Sequence, residues 1–311
     1  MHIRFAMVAC IAAAGAIATP TGATAAYPGS NGRIVFEQDG FIYSIKHDGS
    51  DRQQLTTDTR SRGPRWSPDG RSIAFHRSGD IWIMKGDGSA ARRVTSGPAK
   101  DFSPSWSPDG RRLVFSRTID GTSAGRSLYV VSATGGSGHR LTAASDGCAL
   151  EPTWSATGRY VVYWDQCPGG TIDPNFADAL RKVDTQTGAI SDVVGMEGLA
   201  QPGGQVFFAG SGPDVTPDGS HVVFRAAEAD SDWGIAITDL SGGGFRFLTG
   251  PDCNVLENDD PAVSPDGKRV VYTGGNENPQ LDVVSIDGSS GRFVYNGGTN
   301  FPTRPDWQPR P

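Results

Sequence analysis

The sequence predicts an all-β protein, a six-bladed β-propeller, from three observations. The first is a repeat. Trp66-Ser67-Pro68-Asp69-Gly70-Arg71 returns as Trp106-Ser107-Pro108-Asp109-Gly110-Arg111. Weaker copies follow at Trp154-Ser155-Ala156-Thr157-Gly158-Arg159, Thr216-Pro217-Asp218-Gly219-Ser220 and Ser264-Pro265-Asp266-Gly267-Lys268. The glycines of successive copies stand 40, 48, 61 and 48 residues apart, a period that marks stacked or radial architectures. The second is turn chemistry, with 42 Gly and 21 Pro in 311 residues. The third is that four short strand patterns fit within each period, which is one propeller blade.

Each element has a local reason. A Pro precedes every copy, at Pro64, Pro104, Pro152, Pro213 and Pro261. Proline lacks a ladder donor and is tolerated on an edge strand, which is what the innermost strand of a blade is. In Ser-Pro-Asp-Gly, Pro presets the second turn position and Gly takes the left-handed fourth, giving a type I turn with a bulge. The second strand then alternates, as in Ile73 and Phe75, Leu113 and Phe115, Val222 and Phe224, and Val270 and Tyr272. Third strands follow at Ile81-Met84, Leu128-Val131, Gly234-Ile237 and Leu281-Val284, then tight turns such as Asp87-Gly88-Ser89. Arg92-Thr95, Arg140-Thr142 and Arg246-Thr249 supply fourth strands.

The ends predict closure. Arg33-Phe36, Phe41-Ser44 and Gln53-Thr56 match second, third and fourth strands, but no first strand precedes them. It reappears as Pro305-Asp306-Trp307. The C-terminal strand is therefore expected to complete the N-terminal blade, leaving no free edge.

These residues resemble the TolB-like propeller family, whose repeat reads Pro-x-Trp-Ser-Pro-Asp-Gly-(Lys/Arg)-x-Ile-(Ala/Val)-(Phe/Tyr). The resemblance runs from about Pro28 to Pro309. It implies the propeller fold and a range of roles that spans assembly partners, binding modules and domains attached to peptidases. TolB itself carries an α/β domain ahead of its propeller, and this chain has no room for one, so TolB's own role is not carried over. The repeat supplies architecture and not chemistry.

The formal net charge of −6 argues against nucleic acid or an anionic membrane as partner, because both select clustered Lys and Arg. Residues 1–26 read as an export signal: His2 and Arg4, an apolar run from Phe5 to Ala18, and small residues at Ala23-Ala26. That run is too short for a membrane span of about 20 apolar residues. The expectation is a propeller over 27–311, monomeric, periplasmic or secreted, with no membrane span. Cys148, Cys167 and Cys253 then remain. Cys148 and Cys167 lie about equally far from the hairpin turn near Ala156-Thr157, which predicts a Cys148–Cys167 disulfide. Three cysteines without close paired spacing do not make a zinc site.

Loops alternate between two faces of a propeller. The Ser-Pro-Asp-Gly face is all short turns, whereas the other carries 118–126, 165–177, 195–212, 250–260 and 296–301. Function concentrates on loops held by a rigid scaffold, so the long-loop face is the expected site. Where the chain enters the channel stand Asp101, Glu151, Asp259 and Asp260, with Arg60 and Asn300 at comparable positions. These are the candidate ligand-binding residues of a channel mouth. No cofactor is predicted, although a carboxylate ring is chemistry that can hold calcium.

Gly121-Thr122-Ser123-Ala124-Gly125 matches a nucleophile pattern only literally, since no strand-to-helix elbow is in prospect. Glu257-Asn258-Asp259-Asp260 lacks the alternation of a calcium loop. No His spacing suits a metal or acid–base site. Trp66, Trp106, Trp154 and Trp307 share one repeat position and are expected between blades, while Trp164 borders a long loop. The expectation is a non-catalytic exported propeller binding a protein, glycan or envelope component. The alternatives are a cation-dependent, lactonase-like hydrolase at the channel mouth, using Asp101, Glu151 and Asp260, and a purely structural role.

Overall fold

The computed structural model describes residues 29–118, 125–143, 146–166, 178–195, 199–200, 206–228, 233–249, 259–275 and 279–310. The export signal at 1–26, Cys167, Cys253 and Gly121-Ala124 lie outside the described residues. The described chain forms six antiparallel sheets, one per blade. Blade one takes its innermost strand, Thr303–Arg310, from the C-terminus and continues through Ser30–Gln38, Phe41–Lys46 and Gln53–Gln54. Trp307 pairs with Ile34 and Asp306 with Val35, so the closure expected from the sequence is the closure observed.

Blades two and three run inside to outside from Ser61–Trp66 to Arg92–Arg93 and from Lys100–Trp106 to His139–Arg140. Blade four runs from Ala149–Trp154 to Ile190–Val194, and blade six from Asp259–Val263 to Gly291–Asn296. Blade five departs from the sequence reading. Its inner edge is divided between Val206–Ala209 and Asp214–Val215, both paired with His221–Glu228, and Leu199–Ala200 adds a further strand. Residues expected as one long loop thus contribute two short strands. The Gly- and Pro-containing residues around them, Gly198, Pro202, Gly203, Gly204 and Gly210, hid the pairing, which is made by backbone groups.

Six hydrophobic clusters fill the seams between blades. Val35 and Ile42 of blade one meet Trp66, Ile73 and Phe75 of blade two. Trp106, Trp154 and Trp307 occupy the next seams of their kind. Both faces of each blade are therefore core, which is why every second strand is apolar almost throughout. The repeat turns behave as the sequence dictates. Gly70, Gly110, Gly158, Gly219 and Gly267 have φ between 66 and 71°. In blade two, Asp69 Oδ1 accepts from Ser67 Oγ at 2.6 Å and from the Arg71 N–H at 3.1 Å. A second periodic device is carried by the threonine after four of the outer strands. Thr56, Thr95, Thr142 and Thr249 each accept, at 2.9 Å, an N–H near the start of the third strand of their blade, from Ile42, Ile81, Leu128 and Ile235.

Candidate functional site

The innermost strands of five blades carry a bulge at the Pro, and in blade five the divided inner edge breaks there. Pairing skips from Arg62 to Arg65, Phe102 to Ser105, Leu150 to Thr153 and Asp259 to Ala262. The residue just before the Pro is left-handed in all six blades: Gly63, Ser103, Glu151, Gly212, Asp260 and Arg304, with φ between 48 and 68°. Four of these are not glycine, and such backbone is strained by roughly 1–3 kcal/mol each. The six form a ring around the channel at its long-loop end, enclosing a void of about 20 Å³.

Side chains of one blade hold the ring residues of the next. The Gly63 N–H donates to Glu37 Oε2 at 3.1 Å, and the Ser103 N–H to His76 Nδ1 at 3.4 Å. Similarly, the Gly212 N–H donates to Glu151 Oε2 at 2.9 Å and the Arg304 N–H to Asp260 Oδ2 at 3.0 Å. An inner edge strand has backbone donors with no ladder partner, and these acceptors supply one. The Arg304 guanidinium crosses the ring to Glu151 Oε1 at 3.2 Å. Burial, then the Asp259 carboxylate, pushes the Asp260 carboxyl up to about 7, against the opposing Arg304. Burial depresses His76 to about 3, so the ring that accepts from Ser103 is neutral.

A second ring lies one residue beyond the Pro, toward the Ser-Pro-Asp-Gly face. Arg65, Ser105, Thr153, Asp214 and Asp306 line a chamber of about 40 Å³ there. Asp306 Oδ2 accepts the Trp66 N–H at 2.6 Å, and Asp214 Oδ2 the Val263 N–H at 2.7 Å. Burial raises the Asp306 carboxyl to about 7 and raises Asp214 as well.

The predicted site residues are therefore divided. Glu151 and Asp260 stand on the ring, and Asp259 beside it accepts from Ser211 Oγ at 2.7 Å and from the Asp260 N–H at 2.8 Å. Asp101 faces blade two and is buried. Arg117 Nε and Nη2 donate to its two oxygens at 2.6 and 2.8 Å. The period-two alternation of the strand places it on that side, two residues before Ser103. Arg60 and Asn300 are exposed. The Arg60 N–H donates to Asp58 Oδ1, and Asn300 Nδ2 to Asp39 Oδ2. Of the other inward groups, sequence reasoning placed only His76 toward this face, at the end of its second strand, and passed over Arg304, Glu37, Asp214 and Asp306. For Arg304, Asp214 and Asp306 the available signal is position next to the repeated Pro. Cys148 is buried and its N–H donates to Asp165 Oδ1 at 2.8 Å. Burial raises Asp178 to about 6, with the Trp164 indole acting in the opposite direction. Among the described residues no three His, Cys, Asp or Glu side chains group as metal ligands, and no helix is long and apolar enough to cross a membrane.

Six blades, a C-terminal closing strand and a narrow polar channel define the molecule as a closed β-propeller. Residues 41–190, nearly half of the chain, match the TolB beta propeller domain, and the six-bladed arrangement is the fold of TolB structures. The structure is similar to that of TolB from Acinetobacter baumannii, with TM-score 0.72 and 19% identity over 90% of this chain and 67% of that one. It is also similar to an oligogalacturonate lyase in complex with manganese, with TM-score 0.56 and 17% identity over 82% and 70%. The uncharacterized peptidase YuxL of Bacillus subtilis is 39% identical over 89 residues. That match spans 25% of this chain and 13% of the peptidase.

Proposed function

We propose that this chain is an exported, non-catalytic propeller that binds a protein partner through its long-loop face. The observation that carries the proposal is the use of the ring carboxylates. Glu151, Asp260, Asp214 and Asp306 are each occupied by backbone N–H groups of the neighbouring blade, and Glu151 also by Arg304. Acids spent on holding blades together are poor cation ligands and poor general acids or bases. The void at this mouth, about 20 Å³, is also far below the ~300–1,000 Å³ of small-molecule sites. A glycan or enzyme substrate finds no chamber there, whereas a protein docks on the rim. A Cys148–Cys167 disulfide bracing the rim belongs to the same proposal. The register supports it, since Ala149 pairs with Asp165, two residues before Cys167.

Capture from an envelope or culture-medium extract tests the proposal. The full chain should retain a partner, variants shortened within 119–124, 167–177 or 251–258 should lose it, and substitutions in the Ser-Pro-Asp-Gly turns should not. Capture that survives loop shortening removes the proposal. A calcium-dependent rise in melting temperature would instead support the cation-dependent hydrolase. Peptide mapping without reductant reads the disulfide directly.

A further inference from the structure

The seam between blades three and four differs from its neighbours. In blades one and two, the second-strand residue opposite the position two before the Pro is Glu37 or His76, paired with Thr303 and Arg62. Each accepts a ring N–H of the following blade. In blade three that position is Ser116, paired with Phe102, and its hydroxyl has no hydrogen-bond partner. Thr118 lies two residues on, hence on the same face, and pairs directly with Arg126. Leu128, opposite Ser116, sits in the hydrophobic cluster shared with blade four, which fixes the direction this face looks. Thr118 Oγ1 and Arg126 Nε are likewise buried without a hydrogen-bond partner. Ser116 is 0% and Thr118 5% exposed.

Three polar groups able to donate thus stand on one face, toward blade four, with no acceptor among the described residues. The Arg126 guanidinium is 5.7 Å from the centre of the Phe102 ring and forms no ion pair among the described residues. Glu151 and Arg304 of the ring act on it electrostatically, in opposite directions. Fixed donors of this kind, one of them a planar guanidinium, match a carboxylate.

We propose that this gap receives a carboxylate from an acidic segment of the bound protein, with Arg126 as the principal contact and Ser116 and Thr118 as hydroxyl donors. The assignment rests on the proposal that the long-loop face binds a protein.

Fluorescence anisotropy with a labelled hexaglutamate peptide tests this on the full chain, with hexaglutamine and an oligogalacturonate as comparison probes. Arg126→Met should weaken hexaglutamate binding about tenfold or more, Arg126→Lys less, and Arg140→Gln on the outer strand not at all. The melting temperature of Arg126→Met should equal or exceed that of the parent, because a buried donor lacking an acceptor is removed. Equal binding by Arg126→Met overturns the receptor, as does absence of hexaglutamate binding or a preference for the oligogalacturonate. If loop shortening abolishes capture while Arg126→Met binds normally, only the receptor falls. If capture survives loop shortening, the parent proposal falls with it.

Discussion

Asp306 shows how a single side chain couples the channel to pH. Burial raises its carboxyl to about 7, against the opposing Arg65, while an unfolded aspartate titrates near 3.9. Its contribution to stability is therefore complete below about pH 4 and is lost as pH rises to 7, because the native state holds the proton longer. His76 acts in the other direction. It is depressed to about 3, so its share is lost as pH falls below about 6.5. Asp306→Asn should flatten the decline in melting temperature between pH 5 and 8, and parallel curves for variant and parent would refute that assignment. Asp101→Asn removes one partner of a buried pair with Arg117, which typically costs about 3 kcal/mol or more. Thermal unfolding reads this as a large drop, and a neutral result would show the pair to be dispensable. Such roles were only partly legible. Glu151 and Asp260 announced themselves as acids before a Pro, but what they accept lies 61 and 44 residues away. A single sequence carries no mark of such distant partners.

The inner strand has a conformational rule that its residue types do not obey uniformly. Ser103 stands at φ 49° where Gly63 and Gly212 stand at 57 and 68°. Replacing Ser103 with Gly should relieve strain of roughly 1–3 kcal/mol and loosen the unfolded chain by about 0.4–1 kcal/mol, a small net stabilisation. Gly63→Ala should do the reverse. Its Cβ would meet His76 Nδ1 at 3.2 Å in a left-handed backbone. Chemical denaturation of both variants checks the pair, and the same sign for both would contradict the rule. The Pro repeat marked the edge strand but not its bulge, whereas the turn glycines were legible from chemistry alone. The split inner edge of blade five was not, because Val206–Ala209 and Asp214–Val215 are joined by residues that look like loop.

At the scale of the ring, the C-terminal strand ties blade one to blade six, and Trp307, 1% exposed, sits in that seam. Trp307→Ala should cost about 3–5 kcal/mol, more than the same change at an exposed position, as calorimetry can measure. A loss confined to a few tenths would mean the closing strand is not under load. This part of the architecture was legible from the missing first strand and its displaced copy. The ring also has a sense of rotation. Each inter-blade hydrogen bond to a ring N–H runs from one blade to its successor: Glu37 to Gly63, His76 to Ser103, Glu151 to Gly212 and Asp260 to Arg304. Asp306 to Trp66 and Asp214 to Val263 run the same way. Among the described residues, only the junction of blades three and four carries no such stitch. A hoop with one unstitched joint breathes there first, so among the inner strands amide exchange should be fastest along Leu150–Thr153 of blade four.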